Sequence, residues 1–285
     1  MKTSWINVFR KFKKSWTFKV YAYLCANHIS MTPVSVVVIT FNEEKNIGRC
    51  LESVKGIADD VVVLDSFSKD NTKSICEAHG ARFFEHRFDG HIEQKNRAIS
   101  YAKYPHVLSL DADEALNEKL REEIEAIKEN FEADGYYFNR LTNYCGKWIR
   151  HCGWYPDRKL RLWDSRKGKW TGENPHDRYE MVKDADIRYL KGDLLHYSFY
   201  TIEQHMDTIN KFSSIAANMR FKRGQRFSYF RLWISPLWKF FKSYMLKGGF
   251  RDGFYGYVIC KNSAHSTFLK QVKLYQLWHK EKTKK

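Results

Sequence analysis

Between residues 34 and 130, apolar strand-like runs alternate with helical patterns, and this alternation limits the possible folds. The first run is V-S-V-V-V-I-T at Val34–Thr40, and similar runs follow at 60–64, 81–85 and 106–110. Continuous β-branched runs are typical of strands that are covered on both faces. Four such strands, separated by helices and short links, predict a doubly wound, mostly parallel α/β sheet.

Amphipathic patterns lie between and after these runs. Ile47, Leu51 and Val54 recur at helical spacing, which predicts a helix with Asn42 as its cap. In the C-terminal third, apolar residues recur three or four positions apart from Ile202 onward, and this pattern predicts a long helix that packs on the sheet. The remaining helices are predicted at 73–79, 93–102 and 117–130.

Polar clusters follow three of the predicted strands, at 40–43, 65–70 and 111–113. Because ligands of such sheets bind outside the carboxyl ends of the strands, we expect these clusters to meet along one edge. The stretch H-V-L-S-L-D-A-D-E ends in Asp111 and Asp113, whose oxygens suit Mg²⁺ or Mn²⁺ beside a diphosphate. The alternative is that Asp113 and Glu114 open the following helix. Glycine-rich nucleotide motifs are absent from the sequence, which disfavours a dinucleotide fold and a P-loop.

Composition narrows the class of partner. The formal net charge is +16 and 16% of residues are aromatic, which indicates nucleic acid, an anionic membrane surface or phosphorylated substrates as partners. The six cysteines form no C-x-x-C pair, which favours reduced thiols in a cytoplasmic chain. The sequence contains no uncharged apolar stretch of spanning length, so we expect neither a transmembrane helix nor export.

Both ends of the chain mix aromatic residues with cations. Near the N-terminus this pattern predicts either a segment lying on anionic lipid or an arm packed on its own domain. In the C-terminal region, Trp233, Trp238 and Phe241 stand among lysines and arginines, which favours the headgroup layer of an anionic bilayer over a buried core. We therefore predict a basic aromatic segment at 1–32, an α/β catalytic domain at 33–200 and a membrane-associating helical region at 201–285.

Several ordered motifs resemble the family 2 glycosyltransferases, whose nucleotide-sugar-binding domain has the GT-A fold. They are V-V-V-I-T-F-N-E-E at 36–44, V-V-L-D-S-F-S-K-D at 62–70, Q-K-N-R-A-I at 94–99 and L-D-A-D-E at 110–114. R-L-W at 161–163 and W-T-G-E-N-P-H-D at 170–177 are similar to the lipopolysaccharide core β-glucosyltransferases. The resemblance implies an inverting, metal-dependent enzyme that moves a sugar, expected to be glucose, from a UDP-sugar to an inner-core heptose.

The resemblance also implies roles for individual residues. Those that would line the nucleotide are Thr40, Phe41, Asn42, Glu43 and Asp65, although the same residues also suit strand ends, caps and turns. Lys95 would contact phosphate or could instead be solvated. Arg158 and Arg161 could grip phosphate groups of the donor or the acceptor, or pair with local acids. Asp111 and Asp113 would hold Mg²⁺ or Mn²⁺ against the diphosphate, with His196 either a third ligand or a packed core residue.

Glycosyl transfer to an alcohol needs a carboxylate that removes the acceptor proton. The candidate is Asp177, which follows His176 where members of this branch commonly show a His-Glu pair. Aspartate is shorter than the glutamate of those members, so it keeps the carboxylate chemistry but changes how far the side chain reaches. Glu173 is the second candidate for the base, and a surface pair with Arg178 is the alternative interpretation of Asp177.

Two other functions remain open: a transferase of the same fold acting on another lipid-linked or protein acceptor, and a non-catalytic basic nucleic-acid-binding protein. The second explains the charge but not three acidic clusters at strand ends. We therefore expect a UDP-sugar donor, a lipopolysaccharide core acceptor and an anionic membrane surface as partners, with no nucleic acid. The expected location is the inner face of the cytoplasmic membrane.

Overall fold

The computed structural model describes residues 31–173 and 176–283. The strands of the described part are β1 (Val34–Thr40), β2 (Asp60–Asp65), β3 (Arg82–Glu85), β4 (His106–Asp111), β5 (Glu114–Leu116), β6 (Gly135–Tyr144), β7 (Lys147–Ile149), β8 (Arg158–Asp164), β9 (Gly168–Glu173), β10 (His176–Met181) and β11 (Ile187–Phe199). The α-helices are α1 (Ile47–Ser53), α2 (Thr72–Ala78), α3 (His91–Ser100), α4 (Glu118–Glu129), α5 (Ile202–Lys222), α6 (Tyr229–Phe241) and α7 (Gly253–Lys282). The basic N-terminal segment is predicted at 1–32, and residues 1–30 of it lie outside the described range.

The first half of the sheet is parallel, as the strand–helix alternation predicts. Strand β1 lies between β2 and β4, and β3 pairs with the far edge of β2. In this register Thr40 lies beside Asp65 and Ile39 beside Asp111, so the carboxyl ends of β1, β2 and β4 meet at one edge. The doubly wound α/β class is confirmed, and the arrangement is that of the GT-A fold.

The second half of the sheet is mixed. The order continues from β4 through β8, β6 and β11 to β5, and β7 pairs with β6. Strand β8 is antiparallel to both β4 and β6, whereas β6 and β11 are parallel. Strands β9 and β10 form a separate antiparallel hairpin. Site residues that follow the strand–helix alternation in the sequence lie on these later strands.

The main core fills the space between the sheet and helices α1 and α4. Val36, Val38, Leu108 and Leu110 from the central strands are fully buried against residues of these helices, such as Leu120. Each buried side chain of this size stabilises the fold by about 1.5–3 kcal/mol. This apolar layer makes the central strands a rigid support for the polar residues at their ends.

The predicted helices lie close to their expected positions, but the cap assigned to the first one is wrong. Helix α1 begins at Ile47 after Asn46, and Asn42 lies in the preceding turn. The side-chain oxygen of Asn42 instead accepts a hydrogen bond from the Lys69 amide at 2.9 Å. Its backbone has a φ of 53°, a left-handed conformation that asparagine tolerates better than most residues.

The three C-terminal helices pack mainly on one another. Helices α5 and α6 both contact α7, and Thr201 and Gln204 form a capping box that starts α5. The expected packing of α5 on the sheet occurs near its first turn, where His205 Nδ1 lies 3.0 Å from the Tyr144 hydroxyl. Among the described residues, no helix combines the length and the apolar character needed to cross a bilayer.

Candidate active site

A cavity of about 470 Å³ opens at the carboxyl ends of β1, β2 and β4, and we call it the strand-end cavity. Ten of its lining residues are Thr40, Phe41, Glu43, Gln94, Lys95, Asp111, Asp113, Arg140, Asp177 and His196. The strand register explains why residues from distant parts of the sequence meet here, since the ends of β1 and β4 are neighbours. The cavity is therefore lined by eight of the predicted site residues.

The two loops that border the cavity are joined by hydrogen bonds. The Asn42 amide donates to Ser68 Oγ at 2.7 Å, and the Glu43 amide donates to Thr72 Oγ1 at 2.9 Å. The Glu44 amide donates to Asp70 at 3.1 Å. These bonds join the loop after β1 to the loop after β2 and to the first residue of α2, so they hold the edge of the cavity in place. Phe41 remains 56% exposed at this edge.

Asp65 lies next to the cavity but does not line it. Its side chain is buried, and its carboxylate accepts hydrogen bonds from the Ser68 amide at 2.6 Å and from the Ser68 hydroxyl. The neighbouring Ser66 lines the cavity instead. Asp65 thus shapes the loop in this conformation, and its contact with a nucleotide stays a prediction.

A buried charge cluster supports the D-x-D segment. Arg161 Nη2 lies 2.8 Å from Asp111 Oδ2 and 2.7 Å from Glu114 Oε1. The second Glu114 oxygen accepts the Asp111 amide at 3.0 Å, and Arg140 adds a longer contact to Glu114 at 3.4 Å. Glu114 belongs to strand β5, and helix α4 begins later, with Asn117 as its N-cap. The alternative in which Asp113 and Glu114 open this helix is therefore excluded.

This cluster fixes the ionisation of Asp111. Burial on its own favours the protonated acid, but Lys95 and Arg161 outweigh it and hold the pKa of Asp111 well below its usual range. Burial likewise disfavours the charged form of Arg161, yet Glu114 and Asp111 raise its pKa above the ordinary value. Both groups are charged at neutral pH.

A β-bulge directs Arg161 into the cluster. Strand β8 pairs Leu162 with Tyr136 and Leu160 with Tyr137, so Arg161 is an extra residue with no partner on β6. Such an insertion turns one side chain out of the regular alternation, and bulges occur often beside active sites. Arg161 is 3% exposed in this position.

Lys95 connects Asp111 with the candidate base. Its ammonium lies 3.1 Å from Asp111 Oδ1 and 2.8 Å from Asp177 Oδ2, and 4.4 Å from the centre of the Trp170 ring. The side-chain amide of the neighbouring Asn96 donates to the Trp170 carbonyl and accepts from the Trp170 N–H, both at 3.0 Å, which ties α3 to β9. Asp177 therefore faces inward and pairs with Lys95, while Arg178 pairs with Glu180. The side chain of Glu173 lies outside the described part of the structure.

Asp113 and His196 form a second polar pair. Asp113 Oδ2 lies 3.1 Å from His196 Nε2, although the two residues are 83 positions apart. Burial raises the pKa of nearby Glu43, a hydrogen bond from Asn46 opposes this, and the Asp113 charge adds to the increase. Carboxylates that repel each other beside an imidazole form a donor set that suits a divalent cation. No group of three His, Cys, Asp or Glu residues among those described has the geometry of a complete metal site.

A second cavity, of about 650 Å³, continues from the first, and we call it the basic cleft. The two share Lys95, Asp111, Arg140, Asp177 and Phe212. The other residues of the basic cleft are Tyr137, Arg158, Lys159, Leu160, Arg161, Trp170, Arg178 and Tyr179. Asp177 thus lies where the two cavities meet, and both predicted arginines line the second one.

Four residues of the site are not among those predicted from the sequence: Gln94, Glu114, Arg140 and Trp170. Gln94 and Glu114 belong to motifs that carry the resemblance, and an acid directly after D-x-D was a usable signal. Arg140 lies in a strand with no motif around it. Its place depends on how β6 pairs with β8 and β11, which local pattern does not reveal.

Comparison with known proteins assigns the chain to a family. The model of glycosyl transferase family 2 matches residues 35–183, just over half of the 285-residue chain. An uncharacterised glycosyltransferase of Rickettsia typhi is 34% identical over 257 residues, which cover 87% of this chain and 88% of that protein. The lipopolysaccharide core biosynthesis glycosyltransferase LpsC of Rhizobium meliloti is 28% identical over 261 residues, covering 87% of this chain and 94% of LpsC.

Among solved structures, TarS 1-349 of S. aureus in complex with UDP is similar with a TM-score of 0.43 and 15% identity, over 87% of this chain and 92% of that one. The family match and the R. typhi relative confirm the resemblance stated from the motifs, and with it the prediction of an enzyme. The chain belongs to glycosyl transferase family 2 and is a glycosyltransferase.

Proposed function

We propose that this glycosyltransferase is an inverting, metal-dependent enzyme that moves glucose from UDP-glucose to an inner-core heptose of lipopolysaccharide. The observation that supports this best is the position of Asp177, whose side chain lines both cavities and is joined to Asp111 through Lys95. A carboxylate between a nucleotide-sized cavity and a second open cleft can contact donor and acceptor together.

The donor would occupy the strand-end cavity. The nucleotide would lie against Thr40, Phe41 and the interlocked loops, with Asn42, Glu43 and Asp65 near its uracil and ribose. Lys95, which is 5% exposed, would place a positive charge beside the diphosphate. Such a buried cation stabilises an anion more strongly than the same charge in water.

Asp113 and His196, with Asp111 beside them, would hold a divalent cation. The mixture of carboxylate oxygen and imidazole nitrogen favours Mn²⁺ over Mg²⁺. When bound, the cation would stabilise the negative charge that develops on the departing diphosphate. The donor atoms that would hold it are Asp113 Oδ2 and His196 Nε2, which lie 3.1 Å apart.

Asp177 would take the proton of the acceptor hydroxyl as the oxygen attacks the anomeric carbon. The bond from that carbon to the diphosphate oxygen breaks on the opposite face, so a single displacement inverts the configuration. Lys95 would keep the Asp177 carboxylate oriented toward the junction through their 2.8 Å contact. General bases of this kind contribute about 10²–10⁴-fold to a rate.

The choice of acceptor rests on the similarity to LpsC, whose name places it in lipopolysaccharide core biosynthesis. An acceptor held in a membrane also fits the C-terminal helices. Helix α6 has no buried residue, and its apolar stripe faces outward: Tyr229, Phe230, Trp233, Leu237, Trp238 and Phe241 are between 46% and 72% exposed. An exposed apolar stripe of this size marks an interaction surface.

The charge around this stripe favours an anionic bilayer as the partner. Between residues 208 and 251 the sequence holds ten lysines and arginines and no carboxylate. Each cation near an anionic surface contributes about 1 kcal/mol. We therefore propose that residues 201–285 bind the inner face of the cytoplasmic membrane, while residues 33–200 hold the donor and perform the transfer.

A thermal-shift experiment separates this function from nucleic-acid binding. We expect UDP with Mn²⁺ to raise the melting temperature of the purified protein, and short duplex DNA to leave it unchanged. Stabilisation by DNA and not by UDP would refute the proposal. Transfer assays with UDP-sugars and core oligosaccharide would then identify donor and acceptor, and transfer to an unrelated lipid-linked acceptor alone would refute the lipopolysaccharide assignment.

A further inference from the structure

We infer that the basic cleft binds an anionic group of the acceptor, a phosphate or a carboxylate, and that Arg158 recognises this group. The inference rests on the proposed function, because it assigns the acceptor to this cleft.

The basic cleft has one more cation than its nearby carboxylates pair with. Five of its six cations contact carboxylates, and the pairs are Lys95 with Asp111 and Asp177, Arg161 with Asp111 and Glu114, Arg140 with Glu114 and Asp157, Lys159 with Asp157, and Arg178 with Glu180. Among the described residues, Arg158 is the one cation that lines the cleft and has no carboxylate within ion-pair distance. One positive charge therefore remains for a ligand.

The Arg158 guanidinium lies over an aromatic ring. Its guanidinium carbon lies 5.4 Å from the centre of the Tyr189 ring, and the Tyr189 hydroxyl accepts a hydrogen bond from the Asn139 amide group. Asn139 also donates to the Tyr155 hydroxyl at 3.2 Å, so the ring has a fixed support. A ring beneath the guanidinium leaves the N–H edge available, and this edge matches two oxygens of a phosphate or carboxylate.

Arg158 lines the same cleft as the candidate base Asp177. Arg158 and Leu160 lie on the face of β8 that carries the buried Trp163, against which Trp170 and Tyr179 pack. The cleft therefore runs past an aromatic wall from Asp177 to Arg158. An acceptor sugar whose hydroxyl reaches Asp177 can lie along this wall and present a neighbouring anionic group to Arg158.

The donor does not supply this anion. Its diphosphate would lie with Lys95 and the D-x-D acids in the strand-end cavity, whose lining does not include Arg158 among the described residues. Of the two cavities, Arg158 lines only the basic cleft. A second anion therefore has to come from the acceptor.

The test compares acceptors that differ in charge. Wild type, Arg158→Gln and the control Arg188→Gln are assayed with UDP-glucose, Mn²⁺ and three sets of methyl heptosides: neutral, phosphate-bearing, and linked to a carboxylate-bearing sugar. Arg188 is a suitable control because it lies on β11 beside Tyr189 but pairs with Glu132 and Asp186 on the surface. Binding of each heptoside to the complex with UDP and Mn²⁺ is measured in parallel by calorimetry, which reports without turnover.

Wild type and Arg188→Gln should prefer one of the anionic sets over the neutral set by about tenfold to a hundredfold in kcat/KM, the range expected for a charge-assisted hydrogen bond. In Arg158→Gln this ratio should fall close to one. The preferred set identifies the anion as phosphate or carboxylate. Equal use of neutral and anionic heptosides by wild type, or an unchanged ratio in Arg158→Gln, would overturn the inference while leaving the transferase intact. Absence of transfer and of binding with every acceptor would instead refute the proposed function.

Discussion

Removal of Arg161 tests the buried charge cluster beneath the D-x-D segment. In Arg161→Met, Glu114 loses its 2.7 Å contact and Asp111 its 2.8 Å contact, while Glu114 itself is 1% exposed. Removing one partner of a buried pair costs about 3–5 kcal/mol, because the other charge stays buried. Arg140 remains 3.4 Å from Glu114, so we expect a loss near the lower end, about 3 kcal/mol.

The assay is thermal unfolding of three variants. A loss of about 3 kcal/mol corresponds to a decrease of roughly 6–12 °C in the melting temperature of a chain of this size. The double variant Arg161→Met/Glu114→Gln should be more stable than Arg161→Met, since it removes the unpaired charge. The control Arg188→Met, which breaks an exposed pair, should cost less than about 1 kcal/mol. A single variant as stable as this control, or a double variant less stable than Arg161→Met, would refute the reasoning.

Three further predictions concern the metal pair, the membrane surface and a buried histidine. Asp113→Asn and His196→Ala should each weaken Mn²⁺-dependent UDP binding by more than about tenfold, measured by calorimetry; unchanged Mn²⁺ dependence would remove the pair from metal binding. Leu237→Ser should weaken binding to anionic vesicles at low salt, measured by sedimentation, by about tenfold or more, whereas Val182→Ser, at another exposed apolar residue, should not; equal effects would argue against the α6 surface. Burial lowers the pKa of His205 to about 4, so between pH 6.5 and 4 the unfolded chain binds more protons than the folded chain, and stability falls as the pH is lowered. At pH 5 the free energy of unfolding should be about 2 kcal/mol lower than at pH 7, and this difference should vanish in His205→Gln.

The sequence specified the first half of the sheet well. Apolar runs alternating with helical patterns determine β1 to β4, and the rule that ligands bind at the carboxyl ends of parallel strands places Thr40, Asp111 and Asp113 at one cavity. His196 was recognised from the resemblance, and the structure brings it to 3.1 Å from Asp113. These features follow from local periodicity and from motifs with a fixed position on a strand.

Features that depend on the pairing of strands far apart in the chain could not be predicted from the sequence. The bulge at Arg161 arises from the register between β8 and β6, and no residue near Arg161 marks it. The orientation of Asp65 toward Ser68 depends on the path of its loop. The mixed second half of the sheet, which carries Arg140, His196 and the residues of the basic cleft, has no strand–helix alternation to reveal it.

The most direct test of the account is the transfer rate of Asp177→Asn, measured together with its affinity for UDP in the presence of Mn²⁺. The exposed Asp184→Asn serves as the matched control. We predict that Asp177→Asn transfers glucose about 10²–10⁴-fold more slowly than wild type and Asp184→Asn, while all three bind UDP with similar affinity. A rate for Asp177→Asn close to that of wild type would contradict the claim that this carboxylate, at the junction of the two cavities, is the catalytic base.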